Sequence, residues 1–373
     1  MTNTKQRFPA LDVFRGLTIC LMIIVNTPGD SSVTFAPLHH AKWDGFTLTD
    51  LVFPSFLFAV GNAMSFVMRK WAEKARVEVL GKIFKRTLLI FLLGYLMYWF
   101  PFVNNNNGHW AISPIAHTRI LGVLQRIALC YCFASLLVYF LKTRTVVAIS
   151  IGLLLLYWGL CFWFGDEFDP LGMTTNAGYK VDLWLMGENH MYHGEGVPFD
   201  PEGWLSTLPA IVNVTAGYLV GLHVQKTGKS YEGLTKLVLA GFTLIVIAYF
   251  WNFIFPINKK LWTSPFVLQT VGLDCMILGG IIYILDKQQK NKWSGFFEVA
   301  GKNPLAIYLL SELLATVLYK INIGEGSLFR WVYQHGFSFA GAYWGSLLFA
   351  VVFMLVCWSL GYWMDRKKVY FRV

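Results

Sequence analysis

His40 opens a short polar run, His40-Ala41-Lys42-Trp43-Asp44, just ahead of an amphipathic stretch that begins near Asp50. A neutral imidazole accepts a proton near pH 7, which makes His40 a candidate general base. Alone, an interfacial histidine is more often ordinary loop chemistry than a catalytic base. Other polar residues recur at helical spacing. Asp12, Arg15, Met22 and Asn26 fall near one helical face, because steps of three, four, seven and eleven residues return to similar angles. Asp50, Pro54, Phe58 and Asn62 follow at steps of four, and Arg119, Gly122 and Arg126 at i, i+3, i+7 with Gln125 adjacent. Asp274 and Glu312 stand inside apolar runs.

The surroundings give these groups their weight. Of 373 residues, 56% are hydrophobic and 14% charged, where a soluble domain carries about 25% charged residues. Segments near 11–28, 48–68, 84–102, 120–141, 145–164, 205–223, 235–254, 263–285, 301–319 and 340–363 each approach the roughly 20 apolar residues that a membrane span requires. The expected fold is an all-α, polytopic transmembrane helical bundle of about ten spans with ordered outer loops. It forms one transmembrane domain over residues 1–373, with a long outer loop at 165–204. Ionisable groups inside such a bundle are expensive and face a cavity, the bundle interior or one another. Each polar position above is therefore either a cavity residue or a buried pair that specifies packing.

The 31 Lys and Arg residues sit in short clusters between apolar runs, not on a solvated domain as nucleic-acid binding would need. On one side of the ten spans lie 22 of them, among them Lys5, Arg7, Arg69, Lys70, Lys74, Arg76, Lys82, Lys85, Arg86, Lys229 and Arg372. Lys and Arg accumulate in short cytoplasmic loops, which predicts that both termini are cytoplasmic. The other side holds 28–47 with His40, 103–119 with Asn104 to Asn107, and 165–204 with His190 and His193. The last is rich in Trp, Tyr, Gly and Met, the composition of an ordered cap over a polar cavity. The six cysteines lie in apolar stretches without C-x-x-C spacing, so neither a disulfide framework nor a zinc site is expected. G-x-S-x-G, H-E-x-x-H, P-loop and dinucleotide fingerprints are all missing from the sequence. At 301–304, Asn303 and Pro304 read as the cap and first residue of a helix.

Leu11-Asp12-Val13-Phe14-Arg15-Gly16, followed by Val25-Asn26, resembles the D-x-F-R-G element of the transmembrane acetyltransferase family that contains heparan-alpha-glucosaminide N-acetyltransferase and bacterial relatives. His40 to Thr47 is similar to the family's H-A-x-W-[ND]-G-[LF]-T segment and runs into Asp50-Leu51-Val52-Phe53-Pro54. Arg119 to Arg126 resembles its I-x-G-V-L-Q-R run. Further similarity covers Phe199 to Gly203, Phe255 to Trp262, and Gly301 to Pro304. The resemblance implies an acyltransferase that moves acetyl from cytoplasmic acetyl-CoA to the amine of a glucosamine-like sugar on the outer side, in a bacterial inner membrane. It implies that His40 is catalytic, with Asn26 as its polar neighbour, and that the assembly is a homodimer in contact with membrane lipid. On that reading Arg15, Lys82, Lys85 and Arg86 meet the CoA phosphates, and Asp50, Asn62, Arg119, Gln125 and Arg126 line the cavity, with no metal. A transporter or channel for a small polar solute is the competing reading of the same polar positions.

Overall fold

The computed structural model describes residues 8–71, 73–106, 109–227, 230–324 and 326–371; Lys5, Arg7, Asn107, Lys229 and Arg372 lie outside them. Thirteen α-helices are found among the described residues: α1 (Pro9–Asn26), α2 (Leu48–Trp71), α3 (Arg76–Trp99), α4 (Val123–Phe140), α5 (Thr143–Phe164), α6 (Ala177–Met186), α7 (Thr207–Thr227), α8 (Tyr231–Trp251), α9 (Ser264–Ile282), α10 (Ser294–Lys302), α11 (Pro304–Lys320), α12 (Leu328–Gly336) and α13 (Ala342–Arg366). Eight of these, α1, α2, α4, α5, α7, α8, α9 with its continuation to Lys287, and α13, are long and apolar enough to cross a membrane. The other two expected spans are helices as well. In α3 the first turns carry Glu78, Lys82, Lys85 and Arg86, and α11 is a 17-residue helix that contains Glu312. The protein is therefore a polytopic transmembrane helical bundle, close to the ten spans expected.

In a bilayer, helices associate through close packing, because lipid offers no hydrophobic incentive to separate from it. Small residues do this work between α2 and α7: a Cβ at Gly61 would overlap the Val214 carbonyl oxygen, and one at Gly217 the Phe58 carbonyl oxygen. Between α1 and α10 the same holds reciprocally, Gly16 lying against the Phe297 carbonyl and Gly301 against that of Asp12.

The two ends of the bundle differ. At one end the start of α1 meets α10 and the C-terminal segment. Lys302 pairs with Asp365 at 2.8 Å, and the Asn303 side chain donates to the Val369 carbonyl and accepts from the Phe371 amide. Pro304 does begin α11, but Asn303 uses its side chain to hold the C-terminal segment instead of capping its own helix. This end also carries the α2–α3 junction with Arg69, Lys70, Lys74, Arg76, Lys82, Lys85 and Arg86, and is called the basic end below. At the opposite end the longer connections dock on one another. They include the antiparallel hairpin of β1 (Val103–Asn106) and β2 (His109–Ile112). They also include the 165–206 connection, whose helix α6 is capped by the Asn176 side chain accepting from the Tyr179 amide at 2.8 Å.

Candidate active site

Asp50 organises the loop that precedes it. Thr47 occupies the position before α2, and three residues on Asp50 accepts from the Thr47 amide at 3.0 Å, one half of a capping box. The same Oδ2 accepts from the Ala41 amide at 3.1 Å and the Thr47 hydroxyl at 3.0 Å. Thr47 in turn donates to the His39 carbonyl at 2.6 Å. Residues 40–47 therefore fold around one fully buried carboxylate at a helix N-terminus, where the macrodipole favours negative charge. The remaining oxygen, Oδ1, lies 2.7 Å from Nδ1 of His40. A carboxylate only accepts, so Nδ1 carries the hydrogen and the in-plane lone pair of Nε2 is left for chemistry.

The loop is docked from outside by two distant segments. Asn258 donates to the Asp44 carboxylate at 3.2 Å, and Gly45 donates to the Ile257 carbonyl at 2.8 Å. Trp43 donates to the Leu171 carbonyl at 3.2 Å and packs edge-on against Phe199. These contacts bring Lys259 to the imidazole, with Nζ 3.1 Å from Nδ1 and 3.2 Å from Nε2. His40 keeps 43% of its side chain accessible. Burial lowers its pKa below the usual histidine value; the Asp50 hydrogen bond opposes this and the Lys259 ammonium adds to it. A lowered value favours the neutral imidazole, the form that acts as a base.

Beside this dyad stands Arg119. Its guanidinium donates from Nε to Asp200 Oδ2 at 3.0 Å, and from Nη2 to Asp200 Oδ1 and Glu202 Oε2 at 2.6 Å each. It lies over the rings of Tyr98 and Tyr192, with distances of 5.1 and 4.7 Å to their centroids. Burial pushes the Glu202 pKa up, but Arg119, Arg126 and Lys259 outweigh it and keep the carboxyl ionised below its ordinary range. Arg126 is fully buried, 4.9 Å over the Trp262 ring, and donates to the Gly203 carbonyl at 2.9 Å and to Ser206. The 199–206 segment is thus held by two arginines, but not from one helix face as the spacing predicts: α4 begins at Val123, so Arg126 lies on the helix and Arg119 in the irregular connection before it.

Asp182 of α6 supports that segment from behind, accepting from the Trp204 amide at 2.8 Å. Only 2% of it is exposed, and burial pushes its pKa up from 3.8 to about 7. A folded-state value above the unfolded one means that the associated stability is complete below about pH 4 and is lost as pH rises toward 7. Asp182→Asn keeps the acceptor and removes the titration. Its melting temperature in detergent should match wild type near pH 4 and exceed it at pH 7.5, by the equivalent of up to about 4 kcal/mol. Equal melting curves at both pH values would contradict the assignment.

The predicted site residues are distributed unequally around this centre. His40 and Asp50 meet at the end opposite the basic one, and Arg119 reaches them only through Glu202, which it holds and whose charge acts on His40. Asn26, at the end of α1, faces the Glu312 carboxylate of α11, whereas the side-chain partners of His40 are Asp50 and Lys259. Asn62 lies twelve residues down α2 from Asp50, about 18 Å along the helix. Both amide atoms of Asn62, and both of Gln125, are buried without a hydrogen-bond partner. Of the four basic candidates, Arg15 pairs with Asp12 and Lys82 with Glu78, Lys85 is exposed, and Arg86 lies 4.5 Å over the Tyr131 ring. Arg15 and Arg86 each retain an unpartnered buried Nε. Among the described residues no three His, Cys, Asp or Glu side chains are grouped to hold a metal.

Lys259, Asp200 and Glu202 were not singled out from spacing. Their runs, Asp200-Pro201-Glu202 and Lys259-Lys260, do stand within the segments of resemblance, and charges in otherwise aromatic outer connections were the available signal.

The family described as heparan-alpha-glucosaminide N-acetyltransferase, catalytic, matches residues 7–163, the segment that contains His40, Asp50 and Arg119. The chain is 27% identical over 374 residues to heparan-alpha-glucosaminide N-acetyltransferase of Mus musculus, and 27% identical over 375 residues to that of Homo sapiens. Each alignment covers 84% of this chain and 54% of the relative, so the chain spans about half the length of the curated relatives it matches. On these matches the chain is similar to the membrane acetyltransferases typified by heparan-alpha-glucosaminide N-acetyltransferase.

Proposed function

We propose that this protein takes acetyl from acetyl-CoA at the basic end of the bundle and transfers it to the amine of a glucosamine-like sugar at the His40 end. The observation that carries the reading is the Asp50–His40 dyad, which leaves Nε2 of a partly accessible imidazole open at the end of the bundle away from the basic cluster. In this scheme the acceptor nitrogen attacks the thioester carbonyl carbon and His40 Nε2 takes the amine proton. The C–S bond then breaks and the departing thiolate receives that proton. Asp50 holds the imidazole in the required tautomer, and Asn26 is assigned to the developing oxyanion as an amide donor. Transfer is direct, with both substrates in one cavity, which avoids an acyl-imidazole exposed to water. Arg15, Lys82, Lys85 and Arg86 supply positive charge for the CoA phosphates. In a bacterial inner membrane this places both termini in the cytoplasm.

Purified protein in detergent, given acetyl-CoA and a panel of amino sugars, is expected to release CoA thiol in step with an N-acetylated sugar identified by mass spectrometry. Release of thiol without any acetylated amine would remove the proposed acceptor class.

A further inference from the structure

We propose that Lys259 is an internal acetyl acceptor, a site of self-acetylation that closes the active site when donor is present and the external amine is not. This inference rests on the acetyl-transfer reading above. The acceptor of that reaction is a primary amine activated by His40, and the folded chain already holds a primary amine against the same imidazole. The Lys259 Nζ is 3.1 Å from one ring nitrogen and 3.2 Å from the other. A point equidistant from both, if it lay in the ring plane, would collide with the ring carbons. The amine therefore sits over the ring face, off both lone-pair axes, and a rotation of its flexible stem carries it to the Nε2 edge.

Its neighbour shows that this placement is particular to Lys259. Lys260 is an adjacent amine, but Glu195 holds it in an ion pair. Lys259 has no carboxylate within ion-pair distance among the described residues; Asp50 and Glu202 act on it only through space. Burial lowers the Lys259 pKa, with those two carboxylates opposing and Lys260 adding to the effect, so a larger neutral fraction is available than for a solvated lysine. Neutral Nζ attacks the thioester carbonyl, the new C–N bond forms, the C–S bond breaks, and the Nζ proton passes through His40 Nε2 to the CoA thiolate. The amide product has lost its charge and remains beside the imidazole, where it obstructs the external amine.

The full chain in detergent should be incubated with acetyl-CoA alone, with acetyl-CoA plus glucosamine, and as His40→Ala with acetyl-CoA. Peptide mass spectrometry then reads acetyl occupancy at Lys259, Lys260 and exposed Lys42 after hydroxylamine treatment, which removes acyl-imidazole but not the amide. Expected is label concentrated on Lys259, reduced by glucosamine and lowered at least about tenfold in His40→Ala, with turnover falling in proportion to the label. Glucosamine acetylation with Lys259 unlabelled would overturn the inference and leave the transfer reading standing. Label spread equally over Lys259, Lys260 and Lys42, or unchanged in His40→Ala, would also overturn it, as adventitious acetylation. Absence of both sugar acetylation and lysine label would overturn the transfer reading and this inference with it.

Discussion

His40→Ala should lower the rate of acetyl transfer by about 10²–10⁴-fold, the range that one positioned general base contributes. The imidazole is packed only at the rim of the bundle, and 43% of it is accessible, so its loss leaves no sealed cavity. The loop around it is held by Asp50 through the Ala41 and Thr47 amides, contacts that the substitution spares. Initial rates with saturating acetyl-CoA, read beside a melting curve and acetyl-CoA binding, separate the outcomes. Turnover within a few-fold of wild type would exclude His40 as the base.

Asp50→Asn is the second large effect, and it carries a signature that a merely structural role lacks. The amide no longer holds the imidazole in the tautomer that presents the Nε2 lone pair, and losses on the order of 10²–10⁴-fold follow when an orienting carboxylate is removed from a histidine base. Asp50 also raises the His40 pKa, against the lowering by burial and Lys259. Its removal moves that pKa further down. A base works when neutral, so the acid limb of the rate profile should shift to lower pH while the plateau falls. A lowered plateau with an unmoved or raised acid limb would mean that Asp50 does not act through His40.

The apolar spans were the most legible feature of the sequence, because a bilayer demands about 20 consecutive apolar residues whatever the tertiary structure. Even α3 and α11, which depart from that pattern through Lys82, Lys85 and Arg86 or through short length, form helices at the expected places. The polar network was legible only in pieces. Periodicity put Arg119 and Arg126 on one helix face, but Arg119 precedes α4, and what joins the two is their shared partner segment at 200–206, about eighty residues on in the chain. The His40–Asp50 contact needed no long-range information: Thr47-x-x-Asp50 is a capping-box spacing, and the loop it closes delivers His40 to the carboxylate. Lys259 was different, because only the docking of Asn258 on Asp44 and of Gly45 on Ile257 brings it to the imidazole. Asn26 shows the limit of face arguments: its place at the end of α1 was evident, but not that it faces Glu312 of α11.

Sealed proteoliposomes of uniform orientation test transfer across the bundle most directly. Labelled acetyl-CoA is supplied at the basic end and an impermeant amino sugar is confined to the His40 side. The account predicts acetylated sugar in the His40 compartment, CoA thiol in the other, and neither product when the two substrates exchange sides. Passage of unmodified sugar across the bilayer without acetylation would identify a transporter instead, and contradict the account.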